Sequence, residues 1–282
     1  MNIINALNNR ELAIAIWSLI ALLGALLVND FRRAIPGLLK AFFTPKLFIP
    51  IVIMLFYVFL VVFLLEKIGF WDVSALKDTI LWTTGSAFAT YFSLNKATDK
   101  NYFKSIIFDN IKLILVFEFI VNLYSFNLIA ELIIVPITTV IVLLGVVAEL
   151  KPEHKKVKVF LDYILGLFGL VVIIYTVREV IGDFGNFASI KNLRDFLLPP
   201  LLTASLLPFI YFMAVYIQYD SLFTRVDFTN NKSEMAKYAK RKIFSACHIN
   251  LSKIIKLSKN AGLPKINGKD DVTALIRKAQ EN

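Results

Sequence analysis

Charge is what this chain has least of. Lys, Arg, Asp and Glu make up 18% of its 282 residues while hydrophobic residues reach 57%, whereas charged residues alone form about a quarter of an ordinary soluble domain. That balance excludes a soluble globular protein. Cys247 is the only cysteine, so no intrachain disulfide can form and a disulfide-stapled extracellular scaffold is excluded. The two histidines, His154 and His248, stand far apart with no cysteine or carboxylate cluster beside them, so the sequence supports no metal site and calls for no cofactor. The patterns GxxxxGK[ST], HExxH, GxSxG and CxxC are missing, which removes the common signatures of nucleotide, zinc, serine-hydrolase and redox chemistry and makes an intramembrane enzyme a distant reading. No two halves with matching broken helices occur, which counts against an inverted-repeat transporter.

What is present is a series of apolar runs, several near or above the roughly 18 residues that a bilayer crossing needs. Set against their charged flanks they predict seven spans, at 12–28, 47–65, 79–95, 106–126, 128–148, 158–177 and 197–219. The first run has no basic leader, since Arg10 is offset by Glu11, and NDFRR after it is no cleavage site, so it reads as a retained helix. The expected fold is all-α: a polytopic bundle over residues 1–220 and a basic, mainly helical tail over 221–282.

The basic residues orient this bundle. Twenty-five of the 31 lysines and arginines fall in the loops joining spans one to two, three to four and five to six, in the span ends that flank those loops, or in the tail, which places that side in the cytoplasm and the N-terminus outside. The tail also carries most of the net charge of +10. Beside a bilayer such charge binds anionic headgroups, and with no recognisable module it argues little for nucleic acid. Lys240, Arg241 and Lys242 are the tail's candidates for headgroup contact. Arg32, Arg33 and Lys40 are a second set, in FRRAIPGLLKAFFTPK, where Ile35, Leu38, Leu39 and Phe42 recur at helical spacing; either an interfacial helix or a plain connecting loop accounts for that stretch.

Three spans hold the polar groups. In span three, at 100° per residue, Thr83, Ser86, Thr90 and Ser93 share a stripe that reads as an interior face, for close packing or for a wet path. Span four carries Glu118 near mid-depth, with Asn122 and Ser125 following at one-turn intervals. A mid-membrane carboxyl costs on the order of 3 kcal/mol on insertion scales, so it belongs inside the protein and marks a transport-path candidate or a structural hydrogen bond. Glu131, Asp162, Arg178 and Glu179 lie near the interfaces, where snorkelling suffices. In LLPPLLTASLLPF, Pro199 and Pro200 should start the last helix, while Pro208 should kink it, with Thr203 and Ser205 helping to re-satisfy the backbone and a hinge as the minority reading.

NNRELAIAIW, LLPPLLT and ACHINLSKI together resemble a group of bacterial multi-pass membrane proteins with no assigned activity. The resemblance implies an inner-membrane location and carries over no functional residue. Two readings of function follow from the residues. The first is a gated ion or small-solute permeability or transport protein, built as a homo-oligomer because one chain offers few polar interior groups. The second is a membrane scaffold or sensor, of a stress or antiphage system, whose tail recruits a cytosolic protein.

Overall fold

The computed structural model describes residues 7–98, 102, 103, 106, 124–229, 234–259 and 269–281, and among these every regular element is a helix. Helix α1 spans Asn9–Leu27, α2 Asn29–Phe42, α3 Pro45–Lys67, α4 Leu76–Trp82, α5 Phe88–Phe92, α6 Leu128–Glu149, α7 Lys155–Gly182, α8 Phe184–Phe187, α9 Ile190–Thr229, α10 Glu234–Cys247, α11 Leu251–Lys259 and α12 Lys269–Glu281. Five helical runs are long and apolar enough to cross a membrane: Asn9–Leu27, Pro45–Lys67, Leu128–Glu149, Pro152–Gly182 and Ile190–Phe228. They match expected spans one, two, five, six and seven. Span three is a shorter run, α4 and α5 joined by a π-helical turn at Thr83–Ala87. Most of span four, Glu118 and Asn122 included, lies outside the described residues.

Local chemistry sets the helix ends. Asn8 caps α1 reciprocally, accepting from the Glu11 amide at 2.8 Å while Glu11 accepts from the Asn8 amide at 2.8 Å, so two of the orphan donors at that end are satisfied. Gly69, at φ +74°, ends α3, letting the amides of Phe70 and Trp71 fold back to the Leu65 carbonyl at 2.9 and 3.1 Å. Residues 31–46 resolve in favour of helix, since α2 covers nearly all of that stretch.

Two compact units make up the chain, residues 1–51 with 111–198, and residues 52–110 with 199–282. In the first, α1, α6 and α7 pack together. Trp17 Nε1 donates to the Leu132 carbonyl at 2.9 Å, Asn9 Nδ2 to the Phe126 carbonyl at 2.9 Å, and Phe126 stacks on Tyr175 at 4.4 Å. Among the described residues of this unit the buried charge is Glu131, at 0% exposure. It pairs with Arg10 at 3.1 Å and accepts the Phe126 amide at 3.0 Å. This corrects the expectation that Glu131 snorkels to an interface. The capping box engages Glu11, and Arg10 reaches α6. Ser125 differs too: it sits in the non-helical stretch before α6, because the chain must turn where Asn127 caps that helix.

In the second unit α9 buries Leu202, Leu206 and Ile210 along one face and, further on, Leu222 and Val226, all at most 2% exposed. The last long helix begins at Ile190 and passes through Pro199, Pro200 and Pro208 without interruption, so the proline pair does not start it. An interior proline costs roughly 3 kcal/mol. Burial of several large apolar side chains on the same face, each worth about 1.5–3 kcal/mol, outweighs that cost.

Arg10→Ala should lower stability in detergent by about 3 kcal/mol because it strands a buried carboxylate, whereas Arg10→Met combined with Glu131→Leu should recover most of the loss. Equal melting of the single and double variants would show that the ion pair carries no such weight.

Candidate functional site

The proline-bearing part of α9 is tied to its neighbours by two aromatic donors. Tyr57 on α3 donates to the Ser205 carbonyl at 2.8 Å, and its ring lies 5.6 Å from that of Phe209. Trp82 at the end of α4 donates from Nε1 to Thr203 Oγ1 at 2.9 Å, and that hydroxyl donates in turn to the Pro199 carbonyl at 2.9 Å. Thr203 and Ser205 therefore serve the helix differently from expectation. Thr203 relays Trp82 to the carbonyl one turn back, and Ser205 contributes its own carbonyl. Pro208 and Ala204, whose carbonyl the proline frees, are both exposed. Packing around Tyr57, Trp82, Leu202 and Leu206 leaves no room for even a water-sized sphere. The segment is a closed, hydrogen-bonded joint.

The span-three stripe does not survive the fold. Its buried residues are Thr79, Trp82, Ala87, Tyr91 and Leu94, with a step of five between Trp82 and Ala87 across the π-turn. That turn inserts one residue and rotates everything after it, so a wheel at 100° per residue loses register there. Ser86 is exposed, and Thr83, Thr90 and Ser93 are half-buried. Thr83 donates to the Thr79 carbonyl at 2.7 Å, and Ser93 meets the Tyr102 hydroxyl at 2.9 Å.

The second cluster joins the C-terminal half of α9 to α10 and α11. Tyr211 donates to the Ile249 carbonyl at 2.8 Å and Tyr219 to the His248 carbonyl at 2.6 Å. His248 sits in the left-handed region at φ +44°, a conformation that a non-glycine residue holds only when its surroundings impose it; here two tyrosines fasten the turn. Arg225 donates to the Ser258 carbonyl at 3.0 Å and to its hydroxyl. Lys240 pairs with Asp227 and lies 5.8 Å from the Phe223 ring. Its ammonium is thus engaged within the module, unlike that of a headgroup contact. Arg241 and Lys242 are exposed, as are Arg32, Arg33 and Lys40 on α2. Beneath the clasp, Ala239, Ile243, Ile254 and Val272 are at most 1% exposed and Cys247 3%. The tail completes its core against α9, as its scarcity of large apolar residues requires.

Comparison with family models, with curated proteins and with solved structures finds no match.

Burial pushes the Cys247 thiol above its ordinary value, with Lys253 pulling the other way. A pKa raised by folding contributes stability that is whole below the ordinary thiol value, about 8.5, and is lost as pH rises past it. Cys247 should resist maleimide at pH 7 until the chain unfolds, and wild-type stability should fall above pH 8.5 more steeply than that of Cys247→Ala. Labelling as fast as that of a free thiol would contradict the buried placement. Trp82→Phe, which keeps the ring and loses the donor, should cost about 1 kcal/mol in thermal unfolding.

Proposed function

We propose that the protein is a bacterial inner-membrane scaffold or sensor whose working part is the helical module carried by α9. The length of α9 supports this reading best. Its 40 residues make a rod about 60 Å long, roughly twice the hydrocarbon thickness of a bilayer. By length the stretch from Ile190 to Ile210 is enough to cross, with Lys191, Arg194 and Asp195 confined to its first two turns. From Tyr211 onward the helix carries the polar α10–α11 turn, which belongs in water, so its second half projects from the membrane. The excess of lysine and arginine on that side argues for the cytoplasm, with the N-terminus outside in a bundle of seven spans. Exposed Lys237, Arg241 and Lys242 flank Phe244, which is 54% exposed. That mixture suits an acidic cytosolic protein with an apolar contact at its centre, as a stress or antiphage system would employ.

A gated permeability pathway in a homo-oligomer is the second reading, favoured by Glu118, an ionisable residue deep in an apolar run.

One experiment separates them. The full chain is reconstituted in liposomes for ion flux and, in cells, carries a photo-crosslinking residue at Phe244. The scaffold reading expects no flux above empty vesicles and a crosslink to one cytosolic protein that is lost in the Arg241→Glu, Lys242→Glu variant. Flux that Glu118→Gln abolishes would establish the pathway instead.

A further inference from the structure

A groove of about 640 Å³ lies between α3 and the α4–α5 run, within the second unit. One wall is a single face of α3, with Leu55, Phe59, Val62 and Glu66 among its residues; the other includes Ile80 and Thr84. Its volume falls in the range of small-molecule sites, and the π-turn, a feature frequent at functional sites, forms part of the second wall.

The polar groups of the groove decide what it can hold. Thr79, Thr83 and Thr84 all line it, yet each hydroxyl donates to its own helix, to the carbonyls of Ala75, Thr79 and Ile80 at 2.9, 2.7 and 2.9 Å. Trp71 is likewise engaged, donating to Thr79 Oγ1 at 2.9 Å. The walls therefore offer a ligand almost nothing but hydrocarbon, which suits an acyl chain and repels a hydrated solute. One end is different. Glu66 lines the groove at the last turn of α3 with no side-chain partner among the described residues. Next to it, the Lys67 ammonium rests 5.2 Å from the Phe63 ring. A carboxylate beside an ammonium, at the mouth of an apolar slot, complements a head that carries both signs.

The geometry points to a binding site for an amine-headed phospholipid, with one acyl chain along the groove, the primary ammonium on Glu66 and the phosphate within reach of Lys67. Glu66 selects the head and the groove holds the chain. An anionic lipid with a glycerol head meets the Glu66 carboxylate with its own negative charge and is disfavoured.

Native mass spectrometry of the full chain tests this, with phosphatidylethanolamine and phosphatidylglycerol of identical acyl chains as probes. The wild type should retain phosphatidylethanolamine about tenfold better, as one charge-assisted hydrogen bond implies. Glu66→Gln should erase the preference while retaining some lipid. Ile80→Trp, which fills the groove from one wall, should release both lipids, and Phe59→Trp does the same from the other wall should the first variant fold poorly. Maleimide protection of Cys247 reports that each variant is folded. Equal retention of the two lipids by the wild type, a preference that survives Glu66→Gln, or a groove closed by a second copy of the chain and seen as a lipid-free dimer would each overturn the assignment.

Discussion

A hydroxyl or indole N–H among apolar helices has no water to bond and must find an acceptor in the protein. Thr138, Thr139 and Thr176 donate to the carbonyls of Ile134, Val135 and Val172 at 2.7–2.8 Å, and Thr79 and Thr203 do the same to those of Ala75 and Pro199. All three tryptophans are satisfied, Trp17 by a carbonyl and Trp71 and Trp82 by threonine hydroxyls that themselves donate one turn back. The constraint is the high cost of an unmade hydrogen bond where water is excluded. It has a consequence for function. Of the side chains that look in the sequence like the lining of a path, Thr83 and Ser93 donate to the backbone, to the carbonyls of Thr79 and Thr90 at 2.7 and 2.9 Å.

This is also why the sequence was legible in some places and opaque in others. Apolar runs identify helices because length and hydropathy are properties of a segment alone, and α1, α3, α6, α7 and α9 fall where those runs do. Helical spacing likewise offers α2 as one of two readings of residues 31–46, and the tail is expected to be mainly helical. What could not be read depended on a second segment or on a local change of period. Arg10 and Glu131, 121 residues apart, meet only once α1 and α6 pack; charges near the ends of two neighbouring spans were the available signal, and weighing each alone hid it. The π-turn at Thr83–Ala87 displaced the span-three stripe because the arithmetic of a helical wheel assumes an unbroken 3.6-residue period. Proline propensity misplaced the start of α9 because it measures what an isolated helix loses, whereas Leu198, Leu202, Leu206 and Ile210 measure what this one gains by burial.

The continuity of α9 ties the joint to the module mechanically. Thr203 and Ser205 are held by Trp82 and Tyr57, while Tyr211, Tyr219 and Arg225 hold the α10–α11 turn and Ser258. Both sets of attachments sit on one uninterrupted helix, with no loop between them to absorb a displacement. The proline segment and the module are thus carried by the same continuous helix. Helix deformation localises where backbone hydrogen bonds are already missing. Three prolines within ten residues supply such a place on the N-terminal side of the clasp, and Tyr57 and Trp82 hold the helix there. The neighbouring groove is lined by the same two helices, α3 and α4, that carry these aromatic donors.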